Sequence, residues 1–205
     1  MKSLGASEIQ KSNMKLFNFM TTKKPTPPPN RSISLSEVTL QSSNEIIRFI
    51  YDINNEDKNL TPDKRSPIKI IINSDGGDVY SGFGIVEAIQ NSQTPVYTIC
   101  HGQAQSMALL VLAAGHKRFI GAYSTVMYHE ISWEVDYQPR KHHKQELVEG
   151  SRTQEIYDTL LMEFTNVNHD QLNIHKDASS YWYISAEDAL RYHIVDEILD
   201  NSLAI

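Results

Sequence analysis

Between Ile68 and Ile72 four isoleucines occupy five positions, and the run ends in Asn73-Ser74-Asp75-Gly76-Gly77-Asp78. A stretch this apolar, with so little polar alternation, has to be covered on both faces. That is the situation of a parallel strand inside an α/β sheet. The glycine pair stops the strand, and Val79, Phe83, Val86 and Ile89 follow on one side of a helix. The unit then repeats. Val96 to Cys100 predicts a second strand, His101 to Gln105 a turn, and Met107 to Ala114 a buried helix stopped by Gly115. Upstream, Ile33 and Leu35 alternate with serines, as in a short first strand. Ser43 is placed to cap a helix with Ile46, Ile50 and Ile53 on its apolar face and Phe49 alongside, and Asn54 to Pro67 reads as a polar loop. Downstream, Lys117 to Tyr123 and Thr125 to His129 are strand candidates. Arg140 to Asn166 is polar with helical character, Ile156, Leu160 and Phe164 sharing a face. Ser185 opens a last helix with Asp188 at its third position. Strands alternating with helices mean an α/β fold with a largely parallel sheet.

A chain of 205 residues, 40% hydrophobic and 21% charged, suits one globular domain. The formal net charge of -6 gives no general footing on nucleic acid. Lys23-Lys24 and Arg140-Lys141-His142-His143 read as solvated basic spots. With one cysteine, Cys100, no intrachain disulfide is possible, and its place at the end of an apolar run makes it a small buried hydrophobe. The apolar run from Met107 to Ala114 is far short of a membrane span, and the start of the chain has no apolar signal core, so a cytoplasmic protein is expected. Met1 to Asn30 stands apart in composition. A small cluster (Met14, Leu16, Phe17, Phe19, Met20) precedes Pro25-Thr26-Pro27-Pro28-Pro29, which favours polyproline II. This reads either as a flexible or removable arm ending in a stiff spacer or as an ordinary frayed terminus. The core domain is then 31–205.

Two segments carry chemistry. The loop from Asn73 to Asp78, between a strand and a helix, lets backbone N–H groups approach a ligand closely. Alone it is compatible with a phosphate cradle, an oxyanion hole or a tight turn, although no G-x-x-x-x-G-K-[ST] or G-x-G-x-x-G is present. The second segment is Gly102-Gln103-Ala104-Gln105-Ser106-Met107. A serine after a strand, at the mouth of a buried helix, is placed for nucleophilic attack, but a serine there is also an ordinary helix cap. It is not the G-x-S-x-G elbow. No histidine and carboxylate spacing has the form of a metal site, so no metal is expected.

Taken together these segments resemble the Clp proteolytic-subunit family. Its glycine motif, usually Ser-Pro-Gly-Gly, is matched by Ser74-Asp75-Gly76-Gly77. Its nucleophile motif, usually Gly-x-Ala-Ala-Ser-Met, is matched by Gly102 to Met107. Its Met-Ile-His is matched by Met127-Tyr128-His129. The family's acid lies just upstream of a Ser-Ala-Glu-like helix start, and counting back from Ser185-Ala186-Glu187 places it on Asp177. The resemblance runs from about Ile68 to Leu199, more weakly from Ser32. It implies a ClpP/crotonase-like fold of ββα units with a protruding, helix-containing handle. It implies a serine endopeptidase with Ser106 as nucleophile, His129 as base and Asp177 as the carboxylate that fixes the ring tautomer. The N–H groups of Gly77 and Met107 would face the oxyanion. It further implies unfolded polypeptide substrates and homo-oligomers of heptameric rings stacked in pairs, with an inner chamber whose entrance the N-terminal segments line. An AAA+ unfoldase would be the partner, and it, not this chain, would use ATP; no cofactor is expected on the chain itself.

Several positions depart from the family pattern. Asp75 replaces the usual proline and Gln105 the usual second alanine. Ile131 to Tyr137 lacks the family's glycines, and Lys69 and Ile71 stand where aromatics often line the unfoldase groove. The alternatives left open are a related peptidase with a dedicated task (capsid maturation or signal-peptide degradation), a non-catalytic ring subunit, and an acyl-CoA enzyme of the crotonase type. Of the other histidines, His101 sits across the turn from Ser106, His142 and His143 read as surface, and His116, His169 and His175 as loop residues. His193 takes the place of a family glycine, where a left-handed backbone is expected.

Overall fold

The structure is a computed structural model that describes residues 30–132 and 140–199, the side chains of 140–143 apart. The expected arm, Met1 to Asn30, lies outside the described residues save for Asn30 itself, as do 133–139 in the stretch after His129.

The chain order is β1 (Ser32–Leu35), α1 (Leu40–Asp57), β2 (Ile68–Ser74), α2 (Val79–Gln90), β3 (Val96–Gln105), α3 (Met107–Ala113), β4 (Lys117–Gly121) and β5 (Thr125–Tyr128). There follow α4 (Arg140–Phe164), α5 (His169–Asp177), β6 (Trp182–Ser185), α6 (Ala186–Arg191) and β7 (Glu197–Leu199). Strands β1-β2-β3-β4-β7 lie side by side, all parallel. β5 adds in parallel to the far end of β3, and β6 pairs antiparallel with β5. The isoleucine strand lies inside the sheet, between β1 and β3, but its burial alternates where both faces were expected to be covered: Ile68, Ile70 and Ile72 are fully buried, while Lys69 and Ile71 take a half-buried face.

The expected turn from His101 to Gln105 is instead the second half of β3. Its ten residues hold two neighbours in succession: Tyr97 to Cys100 pair with β4, and Gln103 to Gln105 with β5. The hand-over falls at Gly102, whose φ of 90° few side chains tolerate, and Ser124 Oγ accepts its N–H at 2.8 Å. The strand therefore delivers Ser106 directly onto the first turn of α3, whose seven residues are all buried.

The helices also correct the sequence reading. Thr39, not Ser43, caps α1, exchanging bonds with Ser42 in a capping box, and the helix runs on to Asp57. Ser43 is buried inside it and donates to the Ser81 carbonyl at 2.8 Å, joining α1 to α2. In α4 the buried face is Thr153, Tyr157, Asp158 and Leu161, with Ile156, Leu160 and Phe164 only half-buried beside it. Helix α5 replaces the expected loop around His169 and His175. Its signal was present as Asn168 and Gln171, which form a second capping box. Ser185 caps α6 as expected, and His193 takes φ 53°.

A buried carboxylate closes the other end of the molecule. Asp57 receives both guanidinium nitrogens of Arg31 at 2.7 Å and the Thr94 hydroxyl at 2.8 Å, tying β1 and the end of α1 to the approach of β3. The Arg31 hydrogen bonds hold the Asp57 carboxyl below the usual carboxylate range. Asp57→Asn is expected to destabilise the fold by about 3 kcal/mol, since it strands a half-buried guanidinium. Because the folded pKa is depressed, this stabilisation is complete above about pH 4, the unfolded pKa, and is lost as pH falls through the folded value. Urea titrations at pH 7 and pH 3 check it: the gap between wild type and variant narrows at pH 3.

Candidate active site

Ser106 occupies the N-cap position of α3 with φ 51° and ψ -125°, a backbone state that non-glycine residues rarely hold. Its hydroxyl makes no capping bond. The ordinary role of a serine at this place is thus not the one it plays. Three backbone and side-chain bonds fix the residue: its N–H donates to Met127 O at 2.8 Å, and its carbonyl accepts the Leu109 N–H at 3.0 Å and the Tyr157 hydroxyl at 2.9 Å.

The glycine loop lies against this junction. Gly76 has φ 108° and Gly77 φ 138°. A Cβ on Gly76 would stand 2.8 Å from Ser106 Cβ and 3.2 Å from Met107 N, so only glycine admits so close an approach. Gly77 is bridged to Val38 through its neighbours: Val38 N–H donates to Gly76 O, and Asp78 N–H to Val38 O, each at 2.8 Å. In a parallel bridge of that pattern the N–H of Gly77 itself turns away from Val38. The Met107 N–H belongs to the first turn of α3, where no intrahelical partner exists. Neither N–H has a backbone or side-chain partner among the described residues.

His129 follows β5 directly. The parallel register puts Gln105 beside Met127, so Ser106 and His129 emerge from adjacent strand ends. Across the antiparallel β5–β6 pair, Tyr128 faces Trp182, and continuing that register sets His129 opposite Tyr181. The two rings meet edge to face with centroids 5.6 Å apart. The half-buried His129 ring makes no hydrogen bond to Ser106 or Asp177 among the described residues.

Asp177 is the last residue of α5 and is exposed. Its neighbours are both held. Lys176 Nζ donates to Asp158 Oδ2 at 2.8 Å, and His175 stacks on Trp182 with ring centroids 4.9 Å apart. The structure thus brings Ser106, Met107, Gly77 and His129 to the C-terminal ends of the parallel strands. Asp177 sits on the segment that runs back past His129, without a bond to it.

The buried partners of α4 were not legible as site residues. Tyr128 donates to Asp158 Oδ1 at 2.8 Å, and Gln154 Nε2 reaches the same oxygen at 2.8 Å. Burial, with the Asp158 charge behind it, pushes the Tyr128 phenol above its ordinary range and keeps it a donor. The one available signal was Tyr128 in the place of the family's isoleucine.

The other described histidines have different settings. His101 is exposed on β3, and His116 Nδ1 accepts the Val96 N–H at 3.0 Å, burial holding its pKa below the usual value. His169 contacts Asn173 at 2.7 Å, and His193 lies 3.6 Å from Asp196. His142 and His143 have no described side chains. Cys100 is fully buried, its thiol pushed up to about 12 by desolvation. Among the described residues no group of three or more His, Cys, Asp or Glu side chains could hold a metal ion. No described helix is long and apolar enough to cross a membrane.

The profile of the Clp protease family matches residues 30–202. An ATP-dependent Clp protease proteolytic subunit of Cyanophora paradoxa is 30% identical, with 84% of this chain and 93% of the relative covered. The ATP-dependent Clp protease proteolytic subunit 3 of Parasynechococcus marenigrum (strain WH8102) is 30% identical over 81% of this chain and 80% of its own. The protein of the same name from Synechococcus sp. (strain CC9605) is 29% identical over the same shares. With its mostly parallel α/β sheet and a family match over most of its length, the chain belongs to the Clp protease family of serine peptidases.

Proposed function

We propose that this chain is the proteolytic subunit of an ATP-dependent assembly that degrades unfolded polypeptides, with Ser106 as nucleophile, His129 as general base and Asp177 as the carboxylate that orients it. The observation that carries the site assignment is Ser106 itself: a serine in a left-handed backbone state, its hydroxyl unused as a cap, with the Gly76 backbone packed against it. In the reaction His129 takes the Ser106 proton as Oγ attacks the scissile carbonyl, then returns it to the leaving amine. The Gly77 and Met107 N–H groups receive the developing oxyanion, a contribution on the order of 10²–10³ in rate for one such donor. Water then cleaves the acyl-enzyme by the same steps in reverse.

The assembly half rests on the names of the relatives, which are subunits of ATP-dependent proteases. Paired heptameric rings and an AAA+ unfoldase that supplies the ATP-driven work are the form we propose. The chain itself needs no cofactor for hydrolysis. One observation favours a second reading, a peptidase that works without that unfoldase: Lys69 and Ile71 present a polar and an aliphatic side chain on the half-buried face of β2.

A serine-reactive phosphonate is expected to label Ser106 alone, and sedimentation at micromolar concentration to show one large discrete assembly. Casein should be cleaved by the chain unaided, whereas a stably folded substrate should require an unfoldase and ATP. Labelling that persists in a folded Ser106→Ala protein refutes the nucleophile. A fully active monomer, or rapid cleavage of the folded substrate by the chain alone, refutes the gated assembly.

A further inference from the structure

One turn of α4 touches all three segments that carry the proposed triad. Tyr157 donates its hydroxyl to the Ser106 carbonyl at 2.9 Å. Its neighbour Asp158, 5% exposed, accepts from the Tyr128 hydroxyl on one oxygen and from Lys176 on the other, each at 2.8 Å. Tyr128 is the residue before His129, and Lys176 the residue before Asp177. Gln154, one turn earlier, bonds Asp158 Oδ1 at 2.8 Å and accepts the Ile131 N–H at 2.7 Å, so the chain on both sides of His129 is tied to the same helix face.

We propose that Asp158 is a positioning residue, the hub of a Tyr128–Asp158–Lys176 clamp that sets His129 and Asp177 at working distance from each other. This inference rests on the triad reading above. His129 and Asp177 lie on separate segments with no bond between them, so their spacing has to come from what holds their neighbours. A buried ion pair is a poor source of net stability, because desolvating both charges offsets most of their attraction. Its geometric demand, however, is strict: both carboxylate oxygens of Asp158 are committed, one to each side of the site. An apolar contact at this place would let β5 and α5 slide relative to one another. The family's isoleucine before the histidine could make only such a contact, whereas Tyr128 carries the hydroxyl that Asp158 receives.

The test uses the full chain with a small peptide ester, which needs no unfoldase. In Y128F/D158L/K176M apolar residues of similar size replace the pair and no buried hydroxyl is left without its acceptor, which preserves packing. We expect kcat to fall about 100-fold, the cost of misplacing a catalytic group by about 1 Å. KM, the thermal midpoint and the sedimentation pattern should stay close to wild type. Lys176→Arg keeps a cation facing Asp158 and should retain most of kcat. Should the triple variant fail to fold, Tyr128→Phe removes one hydroxyl only and is expected to lower kcat about tenfold, the equivalent of one lost charge-assisted bond. Wild-type kcat in folded Y128F/D158L/K176M, or in Tyr128→Phe, overturns the clamp and leaves the triad standing. A loss that appears in KM, or that follows a fall in thermal midpoint, overturns it as well. Phosphonate labelling of the wild type at a residue other than Ser106 overturns the triad, and the clamp with it.

Discussion

Ser106→Ala is expected to lower peptide hydrolysis by roughly 10⁶-fold, because a triad acts as a unit and no neighbouring group can replace the attacking oxygen. The residual rate comes from the oxyanion donors and from substrate binding, which do not need the hydroxyl. Stability should hardly change. The Ser106 hydroxyl makes no capping bond, and the positive φ strains alanine as much as serine, so the difference should stay within about 0.5 kcal/mol. Steady-state turnover of a peptide ester beside a thermal melt measures both quantities on one preparation. A variant that folds and still turns over at more than a hundredth of the wild-type rate would remove Ser106 from the mechanism.

Asp177→Asn should cut kcat on the order of 10⁴-fold, since an amide in place of the carboxylate holds the imidazole in the wrong tautomer. The side chain is exposed at the end of α5, so the fold should not notice the change. Asp170 is the natural control. It lies in the first turn of the same helix, seven residues and about 10 Å along the axis from Asp177. Asp170→Asn should leave kcat near wild type. A larger loss in Asp170→Asn than in Asp177→Asn would show that the acid was placed on the wrong residue. The 100-fold expected for the clamp variant is smaller for a physical reason. Losing the clamp loosens the spacing of base and acid, whereas losing the acid removes its charge.

Local signals carried most of the architecture. The isoleucine run is an interior strand of a parallel sheet, although only the face of Ile68, Ile70 and Ile72 is fully buried and Ile71 is half-buried on the other, and Ser185 and His193 behave as their positions foretold. Some errors arose where hydrogen bonds between distant residues outweighed a local preference, while the cap of α1 and the start of α5 were local capping boxes. His101 to Gln105 resembles a turn because Gly102 interrupts it, yet β5 waits beside it and extends the strand. Ser43 resembles a cap, yet Thr39 and Ser42 make the reciprocal pair and Ser43 turns to Ser81. Asp158 lies in a polar helix, and the hydroxyl of Tyr128, the amide of Gln154 and the ammonium of Lys176 make its burial tolerable.

By itself the sequence determined the family and the order of the segments that carry the proposed chemistry, because glycine loops, strand ends and helix starts are written in runs of a few neighbouring residues. Only the tertiary structure decided how those residues meet. It bent β3 from β4 to β5 at Gly102, so that Ser106 and His129 leave adjacent strand ends. It turned the Gly77 N–H away from Val38 and placed one turn of α4 behind the three segments that carry the proposed triad. These contacts join residues tens of positions apart, and such pairings are set by the closing of the sheet and the burial of polar groups, which no short window of sequence contains.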